Sequence, residues 1–156
     1  MGELLEIARN VFDERGWGYR LVPEHDALRF PFRGDDDQWE CFVKADDEDR
    51  RLAVYSVCPF NVPEEQRGAT AELLSRINYG LVIGNFEMDL DDGQVRFKTS
   101  IDVQGTELSE AHVERLVFPN LRTMNIYLGA ITAMVGGGLS PAEALGRVDD
   151  VARKPS

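Results

Sequence analysis

Chemistry in this chain would have to come from few residues, because Cys41 and Cys58 are its two thiols and His25 and His112 its two imidazoles. A zinc site or a redox dithiol needs such groups at short spacing, as in C-x-x-C with accompanying histidines, and neither cysteine has that company. Cys58 stands just before a helix opened by Pro63. A helix N-terminus can lower a thiol pKa into the nucleophilic range, with His25 or His112 as a conceivable base. No spacing brings either histidine to it, and a cysteine that ends an apolar strand reads as a small buried hydrophobe. His112 without a carboxylate or cysteine partner specifies nothing. The acid runs Asp35, Asp36, Asp37 and Asp46, Asp47, Glu48, Asp49 carry the oxygen ligands calcium prefers, but neither follows an EF-hand pattern and both fall where turns are expected. Gly136 to Gly138 follow a helix and lack a G-K-[ST] sequence, so they read as a helix stop and not a phosphate loop. The residues assign no catalytic group, no cofactor and no metal site, and the expectation is a protein that is not an enzyme.

A disulfide is also disfavoured. A hairpin turning near Asp47 and Glu48 sets Cys41 opposite Val54. Cys58 then lies roughly 13 Å away along the strand, beyond the ~7 Å Cα separation that a bridge tolerates.

The 156 residues fit one domain, 1–156, of a size that buries roughly 70% of the unfolded chain's surface. With 43% hydrophobic and 29% charged residues, and no apolar run near the ~18 residues a membrane span needs, the chain reads as globular and soluble. Glu3 and Glu6 occupy positions where a secretory signal would be basic and then apolar, and Glu6 also removes a myristoylation pattern. A cytoplasmic protein is expected. Seventeen basic against 28 acidic residues leave a net charge of -11, which repels a phosphate backbone and argues against nucleic acid as a partner.

The periodicities that must position these residues are mostly clear. Leu4, Ala8, Val11 and Phe12 form a helical stripe over residues 3 to 15, stopped by Gly16. A short extended piece is expected before Pro23. Leu28, Phe30 and Phe32 alternate with polar residues, and Pro31 places that strand at an edge or a bulge. Residues 38 to 58 read as a hairpin with Trp39, Cys41 and Val43 on one face. A helix over 61 to 81 opens at Pro63, Glu64 and Glu65 and buries Leu73, Leu74, Ile77 and Leu81. Asp92 and Gly93 suit a two-residue type I′ turn. That turn would pair Leu90 with Val95, Met88 with Phe97, Asp89 with Arg96 and Glu87 with Lys98.

Ser109 caps a long helix with an apolar seam at Val117, Leu121, Met124, Leu128, Ile131 and Val135. Pro119 inside it predicts a kink near Val117 and Phe118, or two helices meeting there. Ser140, Pro141 and Glu143 open a short C-terminal helix over 140–150, with a flexible tail over 151–156. The seam serves first as a core face. Phe118, Ile126, Tyr127 and Met134 add apolar surface beside it, which makes Leu121, Met124, Leu128, Ile131 and Val135 the expected partner or dimer interface. The fold class predicted is α+β: an antiparallel sheet of about five strands with helices packed on it, in the order α-β-β-β-α-β-β-α.

The stretches LLSRINYGLVIGNFEMDLDDGQVRFKTSIDVQGTELSE, FPNLRTMNIYL and GGGLSPAEAL closely resemble the YbjN-like family of small bacterial proteins, over about the last 95 residues. The first third is similar in its order of elements. The resemblance implies a type III secretion chaperone-like fold and a description as sensory-transduction regulators, with no reaction and no site residues to carry over. Secretion chaperones of that architecture are acidic homodimers that bind an extended client segment. The implied function is therefore a non-enzymatic, homodimeric protein-binding module, a regulator or chaperone-like interaction protein with a protein client and without nucleic acid or membrane. Two rivals are a small-ligand sensor using the concave sheet face at Trp39 and Phe97, and an enzyme using Cys58 or the acid clusters.

Overall fold

The first helix, α1 (Glu3–Arg15), begins without a side-chain cap of its own at Gly2. Its open Leu4 N–H donates instead to Asp47 Oδ1 at 3.1 Å, so the expected solvated acid turn supplies the cap from 43 residues away. Gly16 closes the helix in the left-handed region at φ 69°. A six-stranded antiparallel sheet follows in the spatial order β1-β2-β3-β4-β6-β5. Its strands are β1 (Arg20–Val22), β2 (Ala27–Arg33), β3 (Gln38–Asp46), β4 (Arg51–Asn61), β5 (Asn85–Met88) and β6 (Gln94–Asp102). The helix α2 (Arg67–Tyr79) connects β4 to β5, and α3 (Glu110–Gly137) and α4 (Pro141–Ala152) end the fold. The computed structural model describes residues 1–152, the last four by backbone alone. The C-terminal helix expected over 140–150 runs on through Val151 and Ala152, where a tail was expected, and the rest of that tail, 153–156, lies outside the described residues.

The fold class is as expected, with one strand more: the extended piece before Pro23 is β1. It pairs only with Ala27, Leu28 and Arg29 of β2. Pro31 thus falls on the part of β2 that β1 leaves uncovered, where a missing N–H costs no ladder bond. The helix opened by Pro63 starts as a 3₁₀ turn at Glu64–Gln66 before α2 proper.

Both hairpin registers differ from expectation by two residues. Cys41 pairs with Ser56 and Val43 with Val54. Met88 pairs with Val95, Phe86 with Phe97 and Glu87 with Arg96. The first turn is a four-residue loop, 47–50, and the second a five-residue loop, 89–93, where two residues were expected in each. In the second, Asp89 Oδ1 accepts the Asp91 N–H and Asp92 Oδ1 accepts the Gln94 N–H, local turns that a two-residue connection cannot hold. Arg67 clamps that loop by donating to the carbonyls of Val62, Leu90 and Asp91. A slip of two preserves which face each residue occupies, so the acid-base logic survives: Glu87 meets both Arg96 and Lys98.

One face of the sheet is buried under α1 and α3, forming a single core with Phe12, Leu28, Trp39, Val54, Phe97, Met124 and Ile131. Each such fully buried side chain contributes about 1.5–3 kcal/mol. Despite Pro119, α3 is one continuous helix. Its proline turn is bonded to the sheet: Asn120 Nδ2 donates to the carbonyl of Val54 at 2.8 Å and of Phe97 at 3.3 Å, and Ser56 Oγ donates to Asn120 Oδ1 at 2.6 Å. Thr99 Oγ1 donates to the Leu116 carbonyl at 2.7 Å, and Trp39 Nε1 donates to Ser56 Oγ at 3.0 Å. Tertiary hydrogen bonds thus fasten the turn around Pro119 to the sheet.

The second hairpin loop is the place to test this account of register. Gly93 has φ 81° and an added Cβ would run into the Val62 carbonyl. Gly93→Ala should therefore lower the unfolding free energy by about 1–2 kcal/mol or more, read as a lower urea midpoint at unchanged m-value. An unchanged midpoint would contradict the observed loop.

Candidate functional site

Neither histidine is brought to a cysteine. Cys41 and Cys58 are free and buried. Burial pushes the Cys41 thiol up to about 12 and, with the Asp37 charge as a smaller contribution, the Cys58 thiol up to about 11, the opposite of what a nucleophile needs. His112 has a structural role that its isolation in the sequence concealed: Nδ1 accepts the Ser109 N–H while its own N–H donates to Ser109 Oγ, completing a capping box at the start of α3. Ser140 and Glu143 make the corresponding box for α4. Asp35 is tied to Asn125 of α3 through two hydrogen bonds. Among the described residues no group of His, Cys, Asp or Glu is arranged to hold a metal ion.

The expected interface seam faces inward. Met124 and Ile131 have no exposed surface, Leu128 is 2% exposed and Leu121 is also buried, while Val135 is half-buried. Trp39 and Phe97, expected to line a sensor pocket, are likewise in the core. The face that α3 turns outward is different, and there Phe118 is 48% exposed.

Phe118 forms one wall of an apolar groove of about 360 Å³ between the end of α1, the uncovered edge of β2 and α3. The opposite wall is Trp17, whose ring meets Phe118 edge-on at 5.3 Å. Phe12 supports the floor, with its ring 5.2 Å from Trp17 and 5.1 Å from Phe30. Such T-shaped contacts are worth about 0.5–1.5 kcal/mol each beyond area burial and hold the rings in fixed orientation. The geometry follows from sequence: Gly16 turns the chain so that Trp17 folds back over the last turn of α1, where its N–H donates to the Phe12 carbonyl. Phe32 and Leu121 complete the lining.

The rim of this groove is charged. Arg15 lies over the Trp17 ring and pairs with Glu114 of α3. Beside it the Glu14 charge raises the pKa of Glu110. On the far side Asp13 accepts from Tyr19 Oη at 2.7 Å, and that bond raises the tyrosine pKa. The groove is suited to holding apolar matter and offers no general acid or base aimed into it. Nothing in the helix periodicity marked it, since its walls come from three separated segments. In the sequence Phe118 reads only as apolar surface beside the seam, and Trp17 follows a helix stop with no periodic partner.

A second apolar surface lies at the other end of the sheet. Tyr79 and Val82 are 96% and 94% exposed, and Ile83 and Leu90 are also exposed. They surround β5, an edge strand whose Phe86 backbone is already occupied: Asn78 accepts from its N–H and donates to its carbonyl. The edge is therefore capped by a side chain against pairing with another strand at this position.

Sheet order, helix placement and groove define an α+β protein with helices on one face of an antiparallel sheet. The sequence profile of the YbjN family, described as "putative bacterial sensory transduction regulator", matches residues 5–124, and the chain belongs to that family. The crystal structure of YbjN from E. coli, described as "a putative transcription regulator", has a TM-score of 0.61 at 16% identity, over 83% of this chain and 90% of that one. This shows a shared fold. A chain of the HopA1–SchA chaperone–effector complex matches at TM-score 0.48 and 16% identity, over 76% of this chain and 88% of its own. No curated protein matches the chain. Among the described residues no helix is long and apolar enough to cross a membrane.

The buried thiols give a direct check. Both should react with a disulfide reagent at pH 8 on the order of a hundredfold more slowly than free cysteine, and both should react once the chain is unfolded. Labelling of either native thiol at the free-cysteine rate would contradict this placement.

Proposed function

We propose that this chain is a non-enzymatic protein-binding module, a regulator or chaperone-like partner of another protein, folded as one domain over 1–156. The carrying observation is the groove between Trp17 and Phe118, where an exposed aromatic wall is held rigid by its neighbours. Aromatic anchors in a preformed apolar cleft, with charged residues at the rim, are what concentrates binding energy at protein interfaces. The acidic composition, and the family's description as regulators, support the same reading.

The module acts as a homodimer in the cytoplasm, where thiols stay reduced. With most of the α3 seam committed to the core, the dimer contact falls to Tyr79, Val82 and Ile83, a patch whose exposure exceeds what isolated surface apolar residues need.

Two substitutions separate these functions. Phe118→Ser should abolish recovery of a partner captured from native lysate while leaving sedimentation unchanged. Val82→Glu combined with Ile83→Glu should convert the dimer to monomer at tens of micromolar and spare partner capture. A wild-type protein that sediments as a monomer would overturn the dimer. A partner set indifferent to Phe118→Ser would overturn the groove.

A further inference from the structure

The face of the sheet opposite α1 and α3 carries no helix, and its charge runs against the rest of the chain. The strand registers bring Arg20, Arg29, Phe42, Tyr55, Lys98 and Asn85 into one row across all six strands. Arg33, Lys44, Arg51 and Arg96 alternate with buried residues in the same way and share this face. Against these seven basic side chains stand four acidic ones on the strands, Glu40, Asp46, Glu87 and Asp102. The whole chain has 17 basic and 28 acidic residues. Ten basic and 24 acidic residues are therefore left for everything else, so a face with a surplus of three positive charges sits on a body with a surplus of fourteen negative ones.

Four of these cations are paired on the spot, Arg29 with Glu40, Arg51 with Asp49 and Asp102, and Arg96 and Lys98 with Glu87, while among the described residues Arg20, Arg33 and Lys44 have no ion pair. Glu87 alone serves both Arg96, at 2.5 Å, and Lys98, at 3.2 Å. Although burial works against it, hydrogen bonds from these two hold the Glu87 pKa below its ordinary value. Lys44 has no carboxylate within ion-pairing distance among the described residues. The aromatic centre is flat and supported, with the Arg96 guanidinium 4.3 Å from the Tyr55 ring centroid and that of Arg29 5.8 Å from Phe42. Next to Tyr55 the small residues Ala53 and Ser100 are opposite each other on β4 and β6. They floor a hollow of about 470 Å³ walled by Lys44, Arg51, Tyr55 and Lys98, with Asp46 and Asp102 also at its wall.

We propose that this open sheet face is a docking surface for an acidic, extended segment of a protein partner, whose carboxylates sit between Lys44, Arg51 and Lys98. Charge complementarity selects that occupant: a carboxylate-bearing chain is attracted to the face and repelled elsewhere on the molecule, which fixes where it lands. A duplex or single strand of nucleic acid would bring its dense phosphate charge against the surrounding negative body. This surface is separate from the Phe118 groove.

The probe is a fluorescein-labelled oligo-glutamate peptide followed by fluorescence anisotropy. It should bind saturably at low salt and weaken as salt is added. Lys44→Glu with Lys98→Glu should reduce its affinity tenfold or more, while Arg76→Glu with Arg122→Glu, the same charge change on the helical side, should alter it less than threefold. Circular dichroism melts verify that each pair folds, and Lys44→Gln with Lys98→Gln repeats the comparison if the glutamate pair does not. Phe118→Ser should leave the affinity unchanged, so failure of the groove reading is read separately. The proposal is overturned by absence of saturable binding, by equal loss from both charge-reversed pairs, by tighter binding of oligothymidylate than of oligo-glutamate, or by dissociation of a homodimer on Lys44→Glu with Lys98→Glu, which would make the occupant a second copy.

Discussion

Asn120 is the residue on which the rest of the structure turns. Its amide is buried at the sheet centre, donating to carbonyls on two neighbouring strands and accepting from Ser56. Buried amides of this kind are costly when unsatisfied and specific when satisfied, because each partner has one position that serves it. The arrangement fixes the height and rotation of α3 over β4 and β6 at the turn where Pro119 removes a backbone donor. Thr99 adds a second fastening at the Leu116 carbonyl.

From that fastening the candidate site follows. Two residues before Asn120, Phe118 necessarily points away from the sheet, and one residue after it Leu121 points back toward the groove floor. The groove's width is the distance between α3 and Trp17, and Trp17 is set by the Gly16 turn and by stacking on Phe12. A helix free to rotate would trade Phe118 for a neighbour and close or open this cleft. The charged sheet face is set from the opposite direction: by burying Ser56, Phe97 and Thr99 beneath α3, the same contacts commit Tyr55, Arg96 and Lys98 to the solvent side.

Much of this was legible in residue order. The helix caps at Ser109 and Ser140, the stop at Gly16 and the inward faces of the strands follow from local chemistry that tertiary contacts did not override. Hairpin register was not legible, and the reason is physical. Period-two patterning detects a slip of one residue and is blind to a slip of two, so apolar pairing at Val95 is satisfied by Leu90 or by Met88. The choice is made by Arg67 and by the aspartates bonding within the loop. The α3 seam was read correctly as apolar and incompletely as a surface: Asn120, a polar residue, is its best-anchored member, and hydrophobic periodicity passes over polar residues. Trp17 and Phe118 meet only because two segments a hundred residues apart converge, which no local pattern encodes.

The central claim is that the Asn120 network positions α3, and the unfolding free energy of Asn120→Ala in urea tests it most directly. The substitution leaves the Ser56 hydroxyl and the strand carbonyls buried without their amide, at about 1–3 kcal/mol for each group that finds no substitute. A loss of about 3 kcal/mol or more, with tryptophan fluorescence altered in the native baseline, from Trp39 on Ser56 as well as from Trp17, is the predicted result. A loss below about 1 kcal/mol with unchanged native fluorescence would show that α3 is held by apolar packing alone, and the account would be wrong at its base.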